Sequence, residues 1–544
     1  MAEASQQMRG NPVSYWVAVL VFFTAVIYFL GLDARYLSGG VEMRNAGIAA
    51  ELTISHQWAV PRLNGDYCTD APPLFHWIGG AVMRTLGRNP FAAKLPAALF
   101  GFCAVLGVFA FGRRLKFSLA ASFIGAAALA ASFRFFEASR ACDSTTMSAA
   151  LALWALYGFY SMVQAERLRY RMRWFLFYAA MMSLLGLGFG LNGLLLGAGI
   201  PLVWLLVCNL VCGKYRKPVW YGAIGGGLFL ALLMALAWLL SVAQIGDDAV
   251  AGWRGFFSLR HVETLNVRGI IGFFSPWGVL VLLGLIFGLQ AINRNPGAGE
   301  RYFLVLALFL VPLILGMPVT AYAGAGLLVA TGIGLFMEQI DVRQFAASRP
   351  LRITGKILGW LVILCVPGVM LAAIITSPYA VGLFEWFILL GPLCFVTAIV
   401  CWLRKSPRSH GIAMLAAVAG ILLAFDTCVT PFANSRDSLR DVFRSAEANL
   451  RTVKNSELYF YRVFSDEVRG AALYYLGRRV PILDREEELK GLERMQAQAF
   501  ILSGNKESGF EGIGMPRKLR MDGAVVELGL YQLAKVKYNY AGGL

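Results

Sequence analysis

The chain alternates long apolar runs with short polar joints. Runs of roughly 20 apolar residues recur from Val13 onward, the length at which a helix crosses a hydrocarbon layer about 30 Å thick. Their centres fall near Phe22, Val105, Gly125, Leu153, Met182, Leu202, Leu232, Leu282, Leu308, Gly332, Leu364, Leu393 and Ile421, which predicts about thirteen transmembrane helices. The first run, Val13 to Leu32, is too long for a signal-peptide core and lacks a small-residue cleavage site, so it reads as a retained helix. Beyond Asn434 the pattern changes to that of a soluble domain. "DSLRDVFRSAEANL", "EVRGAALYYLG" and "EEELKGLERM" have helical spacing. "SELYFYRVF", "VPIL", "AFILS" and "DGAVVELGLYQL" each read as a strand. Such alternation predicts a small α/β domain. The expected organisation is a membrane domain over 1–433, with a long outer loop at 33–88, followed by a soluble α/β domain over 434–544.

Composition agrees with this pattern. The 544 residues are 58% hydrophobic and 15% charged, where a soluble domain carries about a quarter charged residues. The net charge of +17 would suit a nucleic-acid binder, but the bases gather at the ends of apolar runs. "GRRLKF", "ERLRYRMR", "GKYRKP", "NRNPGAGER" and "LRKSPRSH" all lie between even and odd runs, while the alternate loops are closer to neutral. The asymmetry places the N-terminus in the cytoplasm and the C-terminal domain outside, and excludes nucleic acid as partner. Of the nine cysteines most lie inside apolar runs, and none form a CxxC pair; Cys68 and Cys142 fall in outer loops, where a disulfide between them is allowed. The loop segment "VEMRNAGIAAELTISHQW" has the spacing of an interfacial amphipathic helix, and "WRGFFSLRH" mixes aromatics and bases in the same way. Glycine-rich "GAIGGGLF" reads as a site of close helix packing.

The outer loop carries the most specific signal. "W-x-V-P-R-L-N-G" from Trp58, "P-P-L-F-x-W" from Pro72 and "A-x-L-P-A-A-L" from Ala93 follow one another in order, and "GFFSPWGVLVL" opens a later run. These segments resemble the GT-C glycosyltransferases, above all the aminoarabinose transferases that modify lipid A, with protein O-mannosyltransferases as more distant relatives. The resemblance implies an α-helical polytopic fold with a terminal soluble domain in a bacterial inner membrane. It also implies transfer of a sugar from a polyprenyl-phosphate carrier to an extracytoplasmic lipid, glycan or protein acceptor. That chemistry needs a carboxylate near the acceptor hydroxyl and cations around the leaving phosphate.

Several positions depart from the family's pattern. Where the family has an Asp-Glu pair followed by Arg, this chain has Val41, Glu42 and Arg44. Its Glu-Lys before the Pro-Pro pair is Asp70-Ala71 in "NGDYCTDAPPLFHW", Lys-Gly becomes Asn192-Gly193, and Lys-Leu-Pro becomes Gly316-Met317-Pro318. The resemblance makes Glu42 the expected catalytic carboxylate, supported by Asp143 in "RACDS". Arg44, Arg62, Arg140, Arg260, Arg268 and Tyr322 are the expected substrate and phosphate contacts. Asp70, His76 and His261 are candidates for a divalent-metal site, although each histidine equally suits a solvated loop. Glu42 alternatively reads as an exposed acid on an interfacial helix, and Asp143 as a helix N-cap before "STTMSAALALW". Two other functions stay open: a chain that has lost catalysis and serves as a lipid-binding or partner subunit, and a transporter or flippase of lipid-linked sugars. Against the last, charges inside the spans are few; Asp426 is the exception.

Overall fold

The structure is a computed structural model describing residues 12–37, 39–68, 72–244, 249–258, 274, 277–294, 296–339, 356–357, 359–368, 383–403, 412–424, 439–452, 457–461, 465–485, 488, 499–504, 521–528 and 531–536. It is mostly helical and divides into two compact units. One comprises 1–34, 69–75 and 94–430; the other comprises 35–68, 76–93 and 431–544. Residues 35–68 and 76–93 thus group in one unit with the C-terminal segment.

In the first unit a helix lies at each of the apolar centres, from Pro12–Phe29 to Ile412–Ala424. Among the described residues, Pro90–Arg114, Thr145–Val163, Leu168–Cys212 and Pro218–Ala243 are each long and apolar enough to cross a membrane. Leu119–Ala130 and Phe133–Ser139, bent 65° apart, qualify as a pair. The helix Leu168–Cys212 is not one rod. Gly190 inside it has φ 57° and ψ −134°, a region open in practice only to glycine. Tyr178 Oη donates to the Gly197 carbonyl at 3.0 Å, though 19 residues of straight helix would hold them about 28 Å apart. The chain folds back at Gly190, and the centres near Met182 and Leu202 sit on the two arms of a hairpin.

The 318–339 helix lies at the middle of this unit, against 119–130, 145–163, 278–294 and 296–314. Its glycines make that possible. A Cβ on Gly324 would meet the Phe309 backbone at 2.6 Å, one on Gly332 would meet Gly284 at 2.9 Å, and Gly125 abuts the Gly326 carbonyl. Backbones approaching this closely gain dispersion contacts that lipid cannot replace. The "GAIGGGLF" segment follows the expectation only in part. Gly226 and Gly227 lie against Phe175 and Tyr178, but Gly222 and Gly225 have nothing within 4 Å.

A polar knot joins three helix ends in the same unit. Glu300, buried, receives Lys214 Nζ at 3.0 Å, Gln164 Nε2 at 3.3 Å and the Tyr215 hydroxyl. The Trp204 indole donates to its carbonyl at 2.9 Å. Burial, helped by the bond to Glu300, pushes the Tyr215 phenol above its ordinary pKa, so it stays a proton donor to the carboxylate.

In the second unit five strands form one sheet in the order β4-β3-β5-β7-β6. They are β3 Glu457–Tyr461, β4 Ile482–Leu483, β5 Ala499–Gly504, β6 Met521–Leu528 and β7 Tyr531–Val536. β3 pairs in parallel with β4 and β5, and the β5–β7 and β6–β7 pairs are antiparallel. "DGAVVELGLYQL", expected as one strand, is split between β6 and β7. The two strands pair Leu528 with Tyr531, and residues 529–530 between them lie outside the described residues. "EEELKGLERM" lies almost wholly outside the described residues. The helix Gly40–Ser55 packs on Asp466–Leu476, and β1 Arg62–Leu63 with β2 Asp66–Tyr67 makes a small hairpin.

Candidate functional site

In the second unit, Glu42 sits in the first turn of the 40–55 helix, where the helix dipole favours an acid. Its carboxylate is buried, only 6% exposed, and Arg35 Nη2 donates to it at 2.8 Å. It is thus not the solvated surface acid that its sequence position also allowed. Val41, at the position where the family has Asp, faces outward. Arg44 turns to another face of the helix, and its Nε donates to Asp466 Oδ2 at 2.9 Å. Arg62 stacks over Tyr67, 4.2 Å from the ring centre, and donates to its hydroxyl at 2.7 Å. His76 is buried.

The proline-asparagine-glycine motif of this loop has a structural account. Asn64, at φ 55°, pairs both ways with Val480, its Nδ2 donating to the carbonyl at 2.7 Å and its Oδ1 accepting from the amide at 2.8 Å. The Gly65 amide donates at 3.0 Å to Glu51, which also accepts from Arg479 Nε at 2.7 Å. Arg440 lies 3.6 Å from the Tyr36 ring. Nearby, burial pushes the Tyr475 hydroxyl up to about 12, and the phenol remains protonated at neutral pH.

In the first unit Arg140 is buried and donates to four backbone carbonyls. Its guanidinium donates to the carbonyls of Ile27 at 2.9 Å, Tyr28 at 3.3 Å, Leu30 at 2.8 Å and Gly31 at 3.0 Å. It closes the C-terminal end of the 12–29 helix, where the last carbonyls lack partners and a cation suits the dipole. Arg140→Met is expected to cost about 3 kcal/mol, since bonds to a charged donor contribute about 1.5–3 kcal/mol each but not additively. Thermal unfolding in detergent measures it; an unchanged melt with a tenfold weaker phosphate affinity would support its assignment to phosphate instead.

Asp143 stands at the head of the 145–163 helix, where Oδ1 accepts from the Ser144 amide at 2.6 Å and Oδ2 from the Thr145 hydroxyl at 2.9 Å. Tyr322 is buried between Phe135 and Phe274, with ring centres 5.9 and 5.0 Å away. Glu42, Arg44, Arg62 and His76 thus belong to one unit, and Arg140, Asp143 and Tyr322 to the other. Asp70, Arg260, His261 and Arg268 lie outside the described residues. Among the described residues, no three His, Cys, Asp or Glu side chains gather as metal ligands, and Cys68 and Cys142 are both buried.

Besides Glu300, two buried charges were not singled out by sequence reading. Lys94, in the 90–114 helix, is 1% exposed, and Glu51 is completely buried. Lys94 follows the start of an apolar run, a placement that marks an intramembrane cation for attention. Glu51 lies ten residues past the start of an amphipathic helix, and nothing local sets it apart.

Residues 70–239 match the family model described as dolichyl-phosphate-mannose-protein mannosyltransferase. The whole chain is similar to the crystal structure of ArnT from Cupriavidus metallidurans bound to undecaprenyl phosphate, with TM-score 0.70 over 98% of this chain and 100% of that one at 18% identity. The chain has a GT-C glycosyltransferase fold. The undecaprenyl phosphate-alpha-4-amino-4-deoxy-L-arabinose arabinosyl transferase 1 of Sodalis glossinidius is 27% identical over 55% of this chain and 54% of its own. Transferase 2 of Proteus mirabilis is 21% identical over 75% of this chain and 76% of its own. The chain spans about half the length of the first of these relatives.

Proposed function

We propose that this GT-C chain is an integral-membrane glycosyltransferase that moves a sugar from a polyprenyl-phosphate carrier to an acceptor outside the cytoplasm. The acceptor is a lipid of the lipid A kind, or a glycan or protein. The proposal includes a bacterial inner-membrane location, about thirteen spans set by run length, a cytoplasmic N-terminus and an outer C-terminal domain. What carries it is likeness along 98% of the chain to a solved structure holding undecaprenyl phosphate. In the proposed reaction Glu42 takes the proton of the acceptor hydroxyl. The acceptor oxygen bonds to the anomeric carbon as the carbon–oxygen bond to the carrier phosphate breaks, and the phosphate leaves with the electron pair. Arg35, 2.8 Å from Glu42, orients the carboxylate. Arg44, Arg260 and Arg268 remain the proposed phosphate contacts, and Asp143 a supporting acid.

Specific observations favour a second reading, in which the fold has outlived the chemistry. Arg140 is occupied by four carbonyls, Arg44 is paired with Asp466, and apolar Val41 replaces the acid. Such a protein would act as a lipid-binding subunit or partner of an active enzyme. Native mass spectrometry of the protein in nanodiscs with added polyprenyl phosphate separates the two. Binding that weakens at least fivefold in Arg44→Ala supports a phosphate site built on arginines. Absence of binding in the parent protein favours the second reading.

A further inference from the structure

An apolar groove of about 510 Å³ runs along the 119–130 helix in the first unit. Trp16 from the 12–29 helix, Phe123, Ala127, Ala131, Trp277 and Met414 are among the residues that line it. Trp16 and Phe123 brace each other with ring centres 4.7 Å apart. From Leu119 to Ala131 the groove follows 13 residues of chain, roughly 20 Å at helical rise. That exceeds the roughly 15 Å depth of one leaflet and suits a single extended hydrocarbon chain.

The two ends differ. The Leu119 end opens beside the turn "GRRLKFS", where Arg113, Arg114 and Lys116 are all exposed and no acid is present. Arg113 donates to the Phe117 carbonyl and so shapes the turn. The 119–130 helix begins here, its Ser118 hydroxyl accepting from the Ala121 amide at 3.1 Å, and its first turn contains no acid. Three exposed cations and the positive end of a helix dipole therefore lie within six residues of Leu119, the first residue of the 119–130 helix to line a mainly apolar groove. The complementary molecule has a negative head and a long apolar tail.

We propose that this groove binds an anionic diacyl phospholipid drawn from the leaflet on the side of that turn. One acyl chain lies along 119–131, and the phosphate-bearing headgroup rests on Arg113, Arg114 and Lys116. The site is distinct in charge from the acidic first-turn position of Glu42 and does not depend on the transferase reading.

Native mass spectrometry of the full-length protein, titrated with phosphatidylglycerol or phosphatidylcholine, tests it. The parent protein is expected to retain phosphatidylglycerol at least tenfold better. Ala127→Phe, which fills the channel, should remove the bound lipid. Arg114→Gln with Lys116→Gln should abolish the headgroup preference while leaving Arg113 to hold the turn. This exposed pair keeps the test decisive if Ala127→Phe does not fold. Equal retention of both lipids by the parent, or a preference that survives in the paired variant, overturns the proposal. So does displacement of phosphatidylglycerol by polyprenyl phosphate at equal concentration in both parent and paired variant, which assigns the groove to an isoprenoid.

Discussion

Glu42→Gln is expected to lower sugar transfer by about 10²–10⁴-fold, the range a positioned general base contributes, with little change in thermal unfolding. Gln keeps the shape of the side chain and its bond from Arg35, so the buried position stays filled, but it cannot take a proton. Transfer of labelled sugar from polyprenyl phosphate in proteoliposomes is the measurement. Arg35→Gln separates catalysis from architecture. If Glu42 acts as the base, losing its orienting partner, 2.8 Å away, costs about tenfold and Glu42→Gln far more. If the pair only holds the helix start in place, both variants lose activity and unfolding temperature together. Full activity in Glu42→Gln removes its assigned role.

The helices were legible because their signal is local. An apolar run of bilayer length leaves a helix little alternative, and each expected centre lies on one. The chain reversal at Gly190 was legible as two runs, though its cause, a φ of 57°, is not visible in residue type alone. The start of the 145–163 helix was also readable from Asp143-Ser144-Thr145, although the N-cap is Ser144, with no side-chain capping bond, and not Asp143. What escaped were the partners of charged groups. Arg140 looks like a phosphate ligand beside Asp143, but its carbonyls lie 109 to 113 residues earlier. The partner of Arg44 is 422 residues away. A guanidinium serves a helix end, a carboxylate or a phosphate with the same fork of donors, so residue type could not choose among them. Packing of glycines escaped for a similar reason: Gly222 and Gly227 share one motif, yet only the second meets a neighbour.

That last contrast sets up the largest expected change in stability. Gly470→Val should disrupt packing in the second unit, at a cost above the about 1–3 kcal/mol of ordinary overpacking. Helices 40–55 and 466–476 touch backbone to backbone. A Cβ on Gly470 would overlap the Met43 carbonyl, and one on Gly47 would overlap the Gly470 Cα. Neither obstacle is a flexible side-chain end, so relief requires the helices to separate. Arg44 would then lose Asp466, and the start of the helix bearing Glu42 would shift with it. Hydrogen exchange should rise across 40–55 and 466–476 in Gly470→Val, with protection of the 318–339 helix retained. Gly222→Ala, in open space, supplies the comparison, because alanine in a helix interior gains roughly 0.5–1 kcal/mol over glycine. Equal protection in Gly470→Val and the parent would mean that the two helices do not meet at these glycines, and the coupling of Glu42 to the C-terminal segment would fall with that contact.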